Sequence, residues 1–433
     1  MKTVYDRFSG RHRCFIRGRT KGMKNFLRVI TCMLVLSLSV GAAWCFAEES
    51  GMNYDEYQPL WQLAEQYGFK MGGCFGLYDM NNAEYMNIMA YHFNSITCTN
   101  ETKAYSLLDQ RASKKSEDGM PRMNFTNADK MIAKAQEKGI KVRGHVLVWD
   151  AYMTTWFFHE DYDDKKPIVD SETMRLRVRS YIDQVITHFE TKFPGVIYCW
   201  DVVNEAIGDN SGEFKAADPR HVRTVRNGAP NPFYEYVGED YVEYSFLCAR
   251  DTVEALGADI KLFYNDYNMF TPAKRGAACA LIDSINSYVQ DENGENRKLI
   301  DGIGMQGYIG GYGTQNGCLN DSDIKAIRTS IEAYAARGME VQLTEMAVRN
   351  YDKEKAPEHA AYYGKLFEMF KTVNSEIEGS PLTAVCIWGI NDCPNLPSNN
   401  YTWKLNSPYG GLLTEKNKVK TSFDTVYRVL GGE

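Results

Sequence analysis

The chain has 433 residues, of which 44% are hydrophobic and 24% charged, the make-up of a protein that buries a large core. Its formal net charge is −7, with no Lys/Arg-rich run in the body, which argues against nucleic acid as a partner. The 11 cysteines contain no CxxC pair, so a zinc site is not expected.

In chain order, the first element is an export signal. From Met23 a short basic segment leads into an apolar stretch at about 29–40, then into small residues, with a cleavage site expected after Ala47. The stretch is short for a membrane span, and an uncleaved anchor is the alternative. Residues 1–47 are therefore read as an N-terminal extension and secretory signal, and 48–433 as one catalytic domain. The mature form is expected to be secreted, free of the membrane and monomeric.

No repeat or linker divides residues 55–430. Apolar runs predict strands at 69–75, 92–97, 141–148, 196–203, 261–266, 302–307, 340–345 and 384–390. Between them lie helix-like stretches such as TNADKMIAKAQEKGI and DSDIKAIRTSIEAYAARG, which stop at Gly139 and Gly338. Eight strands alternating with helices predict an α/β fold, a single (β/α)8 TIM barrel with extended βα loops. An open doubly wound sheet is the alternative, but neither GGCFGL nor GYIGGYGTQNG supplies a phosphate-cradling turn, and the latter reads as a loop. Cys386 and Cys393 form a disulfide or remain free thiols; the spacing does not decide between them.

Polar residues gather where these strands end: Asn100 and Lys103, His145 and Trp149, Asn204-Glu205, Asn265-Asp266, Gln306, Glu345 and Trp388. In a β/α barrel such ends converge on one face, where active sites are built. Glu205 and Glu345 end the fourth and seventh strands, near opposite sides of that mouth. Facing carboxylates suit cleavage of a glycosidic bond, one protonating the leaving oxygen and the other attacking the anomeric carbon. At about 5–5.5 Å apart they would act with retention of configuration. Asp201 and Asp266 read as structural, and Trp200 as packing. Trp149 and Trp388 read as platforms for pyranose faces. Tyr267 is a further candidate for the site.

The segments WDVVNEAI, GHVLVW, LFYNDYN, GIGMQG, LTE and WGIND, in order over about 69–430, resemble glycoside hydrolase family 10, the endo-β-1,4-xylanases. The resemblance implies retaining hydrolysis of xylan, with Glu205 as acid/base and Glu345 as nucleophile. It implies that Asn204 holds a sugar hydroxyl beside the nucleophile and that Asn100 and Lys103 bind the next sugar. His145, Trp149, Gln306 and Trp388 would line the cleavage subsite. No cofactor or metal is implied.

The sequence departs from the family pattern at Thr99, Ala104, Asp150, Tyr152, Tyr308 and Ala347. The His expected at 308 and the Asp expected at 347 are lost together. This predicts that the Tyr308 phenol fills the space left by Ala347 and donates to Glu345. These changes surround the sugar sites and leave two alternatives open. One is a retaining β-glycosidase with preference for short or decorated xylo-oligosaccharides or another β-glycan. The other is a non-catalytic glycan-binding barrel.

Overall fold

The computed structural model describes residues 52–310, 319–394 and 407–432. The expected export segment and part of the Gly-rich loop lie outside them. The strands are β1 (Lys70–Phe75), β2 (Ser95–Cys98), β3 (Lys141–Gly144), β4 (Ile197–Asn204), β5 (Lys261–Asp266), β6 (Gly302–Met305), β7 (Glu340–Val348) and β8 (Leu382–Ile387). Each pairs in parallel with the next, and β8 pairs with β1, so the sheet closes. A helix follows every strand: α1 (Ala83–His92), α2 (Thr126–Glu137), α3 (Ser171–Lys192), α4 (Tyr241–Leu256), α5 (Pro272–Asn286), α6 (Asp321–Ala335), α7 (Ala356–Glu376) and α8 (Thr421–Val429). This is the expected (β/α)8 barrel.

Local chemistry sets the helix ends. The side chains of Asn82, Asp170 and Asn320 accept backbone N–H groups at the starts of α1, α3 and α6, satisfying donors that have no partner within the helix. α4 stops at Gly257, whose φ of 61° is left-handed and open to glycine without a steric penalty.

Several expected boundaries are corrected. His92 closes α1 instead of opening a strand, and its ring is spent on Leu60 N–H and the Tyr54 carbonyl. β3 ends at Gly144, before His145 and Trp149. Beyond it Leu147 and Val148 still donate to the carbonyls of Asp201 and Val202 on β4, but the residues no longer form a strand paired on both sides. β6 ends at Met305, one residue short of Gln306, and β8 ends at Ile387, one residue short of Trp388. Apolar composition alone does not show where a ladder stops. Cys386 and Cys393 are both free thiols.

The barrel's filling supports the readings of Trp200 and Asp201. A Cβ on Gly144 would lie 2.3 Å from the Trp200 ring, so Gly144 is small because that indole lies against it. The ring continues to Phe189 of α3, 5.9 Å between centroids. Asp201 is fully buried and takes two bonds from Arg143, at 2.9 and 2.5 Å, and one of 2.8 Å from His145 Nδ1. Arg143 in turn donates to Gln342 across the barrel. A buried charge pair of this kind holds geometry more than it adds stability.

Candidate active site

Two local irregularities deliver the carboxylates. Along β4, Asp201 pairs with Phe263 and Val203 with Tyr264, so β4 carries one residue more than β5 over that step. Along β7, Leu343 pairs with Val385 and Met346 with Ile387, again one extra residue, just where Glu345 sits. Such bulges re-aim side chains at barrel rims. Glu205 follows directly, with φ 53°, a left-handed backbone on a residue with a side chain. This conformation costs on the order of 1–3 kcal/mol and persists where surrounding contacts hold it. Glu205 N–H donates to the Asn265 carbonyl, while its own carbonyl accepts from Arg226 Nη2 (2.8 Å) and Arg223 Nε (3.3 Å).

A chain of amides links the two acids. Gln306 Nε2 donates to Glu205 Oε1 at 3.0 Å and to Asn204 Oδ1 at 3.4 Å. Asn265 Nδ2 donates to the same Asn204 oxygen at 2.9 Å and to Glu345 Oε1 at 3.3 Å. Thr344 Oγ1 fixes the Asn265 amide by donating to its Oδ1. Glu345 Oε2 accepts from the Tyr308 hydroxyl. Tyr308, on a two-residue strand after β6, pairs with Ala347 of β7, and both pack with Trp388 and Cys74, against Tyr267. The phenol thus lies beside Ala347, as its size and the small neighbour predict.

The environments of the acids differ. Glu205 is held by a cation, Arg226 Nη1 donating to Oε2 at 3.0 Å. Glu345 is held by two neutral donors. Burial pushes the Glu205 carboxyl up to about 7; Asp266 and Glu345 add to this, while Arg226 and Gln306 oppose it.

In the loop after β2, Lys103 donates to Asn100 Oδ1 at 3.2 Å and lies over the rings of Trp149 (5.0 Å) and Tyr152 (4.4 Å). Burial lowers its ammonium to about 8, against the pull of Glu345, Glu205 and Glu101. His145 stacks edge-on to Trp149. Tyr267 stands at the wall, its hydroxyl bonded to Asp209 and accepting from Arg223, with Lys274 Nζ 3.5 Å over its ring. Lys274 is also bonded to Asp266, which fits the structural reading of that acid.

At this ring, the buried donors Asn204 Nδ2, Trp149 Nε1 and Trp388 Nε1 have no hydrogen-bond partner among the described residues. Leaving a buried donor unsatisfied costs about 1–3 kcal/mol. Their presence at this ring is understandable if sugar hydroxyls complete them. Among the described residues no cluster of His, Cys, Asp and Glu could hold a metal ion.

Three residues at this ring have no role legible in the sequence. Asn265 stands at a strand end, and Asp150 is a departure from the family pattern without an evident partner. Arg226 carries no signal of its own, although Asn227-Gly228 after it is a strong two-residue hairpin signal.

The model of glycosyl hydrolase family 10 matches residues 59–427. The chain belongs to this family. A Caldicellulosiruptor saccharolyticus protein named for endo-1,4-beta-xylanase activity is 36% identical over 300 residues, covering 68% of this chain and 87% of the relative. The endo-1,4-beta-xylanase A of Thermotoga maritima is 33% identical over 81% of this chain, which spans 28% of that relative. Among solved structures, the N-terminal endo-1,4-beta-D-xylanase 10B modules of Clostridium thermocellum, complexed with xylohexaose, superpose with TM-score 0.72 at 26% identity. That match covers 86% of this chain and 68% of the other. The family membership agrees with the resemblance drawn from the strand-end motifs.

Proposed function

We propose that the chain is a retaining endo-1,4-β-xylanase, with Glu345 as nucleophile and Glu205 as acid/base. The supporting observation is the unequal setting of the two carboxylates, joined by Gln306, Asn204 and Asn265. In the first step a Glu345 oxygen bonds to the anomeric carbon. The C–O bond breaks, its electron pair goes to the leaving oxygen, and the Glu205 proton follows. In the second step water attacks the same carbon, gives a proton back to Glu205 and releases Glu345. A carboxyl near 7 is suited to carry that proton both ways. Asn204 Nδ2 and the indole N–H groups of Trp149 and Trp388 are assigned to sugar hydroxyls. Asn100, Lys103, His145, Gln306, Tyr267 and Tyr308 are assigned to binding and positioning around them.

One observation favours a second reading, with the same machinery and a shifted glycan preference. Thr99 supplies no carboxylate, and the Glu101 carboxylate turns to the backbone N–H groups of Leu77 and Asn100. Among the described residues Lys103 forms no carboxylate ion pair, so this subsite differs in charge from the family pattern. Incubation with plain and branched xylans and with β-glucan, following product length and anomeric form, tests both readings. Internal cuts in plain xylan with β-anomeric products support the first, and preference for short or branched substrates supports the second. Inverted products overturn the mechanism. A glycan-binding protein without turnover would cleave none of them. We also propose export through the segment from Met23 to Ala47, tested by sequencing the N-terminus of secreted protein.

A further inference from the structure

Arg226 reaches Glu205 from a two-stranded hairpin in the loop after β4. Val225 and Arg226 pair with Pro230 and Ala229, and Asn227-Gly228 turn the chain with φ 51° and 80°. Two positive φ values at an Asn-Gly turn are the signature of a tight type I′ hairpin, so Arg226 is delivered by a stiff device. From the opposite side, after β3, Asp150 grips the guanidinium with both oxygens. Nε donates to Oδ2 at 2.7 Å and Nη2 to Oδ1 at 2.9 Å. The bidentate fork fixes the guanidinium plane. Two further donors go to Glu205, one to its side-chain Oε2 and one to its carbonyl. Asp150 is the residue that stands where the family pattern has His, and its charge is matched by a cation from another loop.

We propose that Asp150 and Arg226 form a clamp between two βα loops that positions Glu205, holding both its left-handed backbone and one carboxylate oxygen. Arg226 is a positioning residue acting through Glu205, and Asp150 acts through Arg226. The inference rests on the acid/base reading of Glu205. The clamp also sets the charge balance at that carboxyl. Around Glu205 stand Asp266 from β5, Glu345 from β7, Lys103 from the loop after β2, Tyr152 from the loop after β3, Tyr308 after β6 and Arg223 beside the hairpin. Against this fixed background the two clamp charges have opposite effects. Arg226 favours the carboxylate. Asp150, by neutralising Arg226, weakens that preference.

The test measures the alkaline limb of kcat/KM on xylan, which follows loss of the acid's proton, in R226Q and D150N. R226Q removes the cation and moves the limb to higher pH, by about one unit. D150N leaves Arg226 unopposed and moves the limb to lower pH. Opposed shifts support the clamp. Limbs that stay in place, or move in the same direction, overturn it, even if both variants lose thermal stability. Should R226Q fail to fold, D150N decides alone, because a limb unchanged or raised contradicts the clamp. E205Q keeps the two failures apart: full activity on xylan in that variant would sink the acid/base reading itself. An inactive E205Q with unmoved clamp limbs would sink only the clamp.

Discussion

The pockets around Glu205 and Glu345 face each other across one barrel mouth and are built on opposite plans. Glu345 is a strand residue, set by a bulge and touched by Asn265 and Tyr308, both neutral donors rooted at the ends of β5 and β6. Glu205 lies just past its strand in a left-handed conformation, and long loops supply the cation that holds it. An attacking group benefits from a fixed position and from donors that do not quench its charge. A group that must give and take a proton benefits from surroundings that bring its two states close in energy. The barrel frame supplies the first requirement and the loops supply the second.

The largest effect expected from breaking this contrast lies in the acids themselves. E345Q should abolish turnover of every β-xyloside, whatever the leaving group, because on the proposed mechanism the intermediate forms on that carboxylate. E205Q should lose about 10²–10⁴-fold on xylan. Its loss should be far smaller on an aryl xyloside whose phenolate leaves without a proton, and kinetics on the two substrates measure this. Equal losses on both would remove the functional difference between the pockets.

A smaller effect should follow from Y308F, which removes one of the two donors to Glu345 and leaves the ring's packing with Ala347 and Trp388. A loss of about tenfold in kcat, equivalent to roughly one buried hydrogen bond, is expected with little change in KM. An unaltered kcat would mean that the phenol only fills space.

Proton dependence sharpens the contrast further. On the proposed assignment Glu205 gives its proton in the first step, and with its carboxyl pushed up to about 7, kcat/KM should fall as pH rises through that value. A pH series on unmodified xylan checks it. The smallest effect is expected at Lys103, where K103M should raise KM for xylo-oligosaccharides several-fold, about 1 kcal/mol of lost binding, and alter kcat less.

Much of this was legible in the sequence. The strand-end clustering of Asn204-Glu205, Gln306 and Glu345 depends on a period that apolar runs display directly, so the barrel and its functional face could be placed. Boundaries such as the end of β3 were not legible. His145 to Trp149 is as apolar as a strand, and only the loss of two-sided pairing ends it. Asp150 and Arg226 were hidden for a different reason. Their partnership joins two separate βα loops, 76 positions apart in the chain, and no periodicity marks which loop residues will meet. The Asn-Gly turn announced a hairpin but not what its neighbour would touch.

The extra residue that β4 carries ahead of Glu205 has a consequence for how such a site can change over time. Side chains alternate between the two faces of a strand, so deleting Val202 would remove the step against β5 and turn Glu205 to the opposite face. Chemistry here is therefore exposed to a single-codon deletion in an otherwise bland hydrophobic stretch, at an aliphatic side chain that has no polar atom to offer either acid.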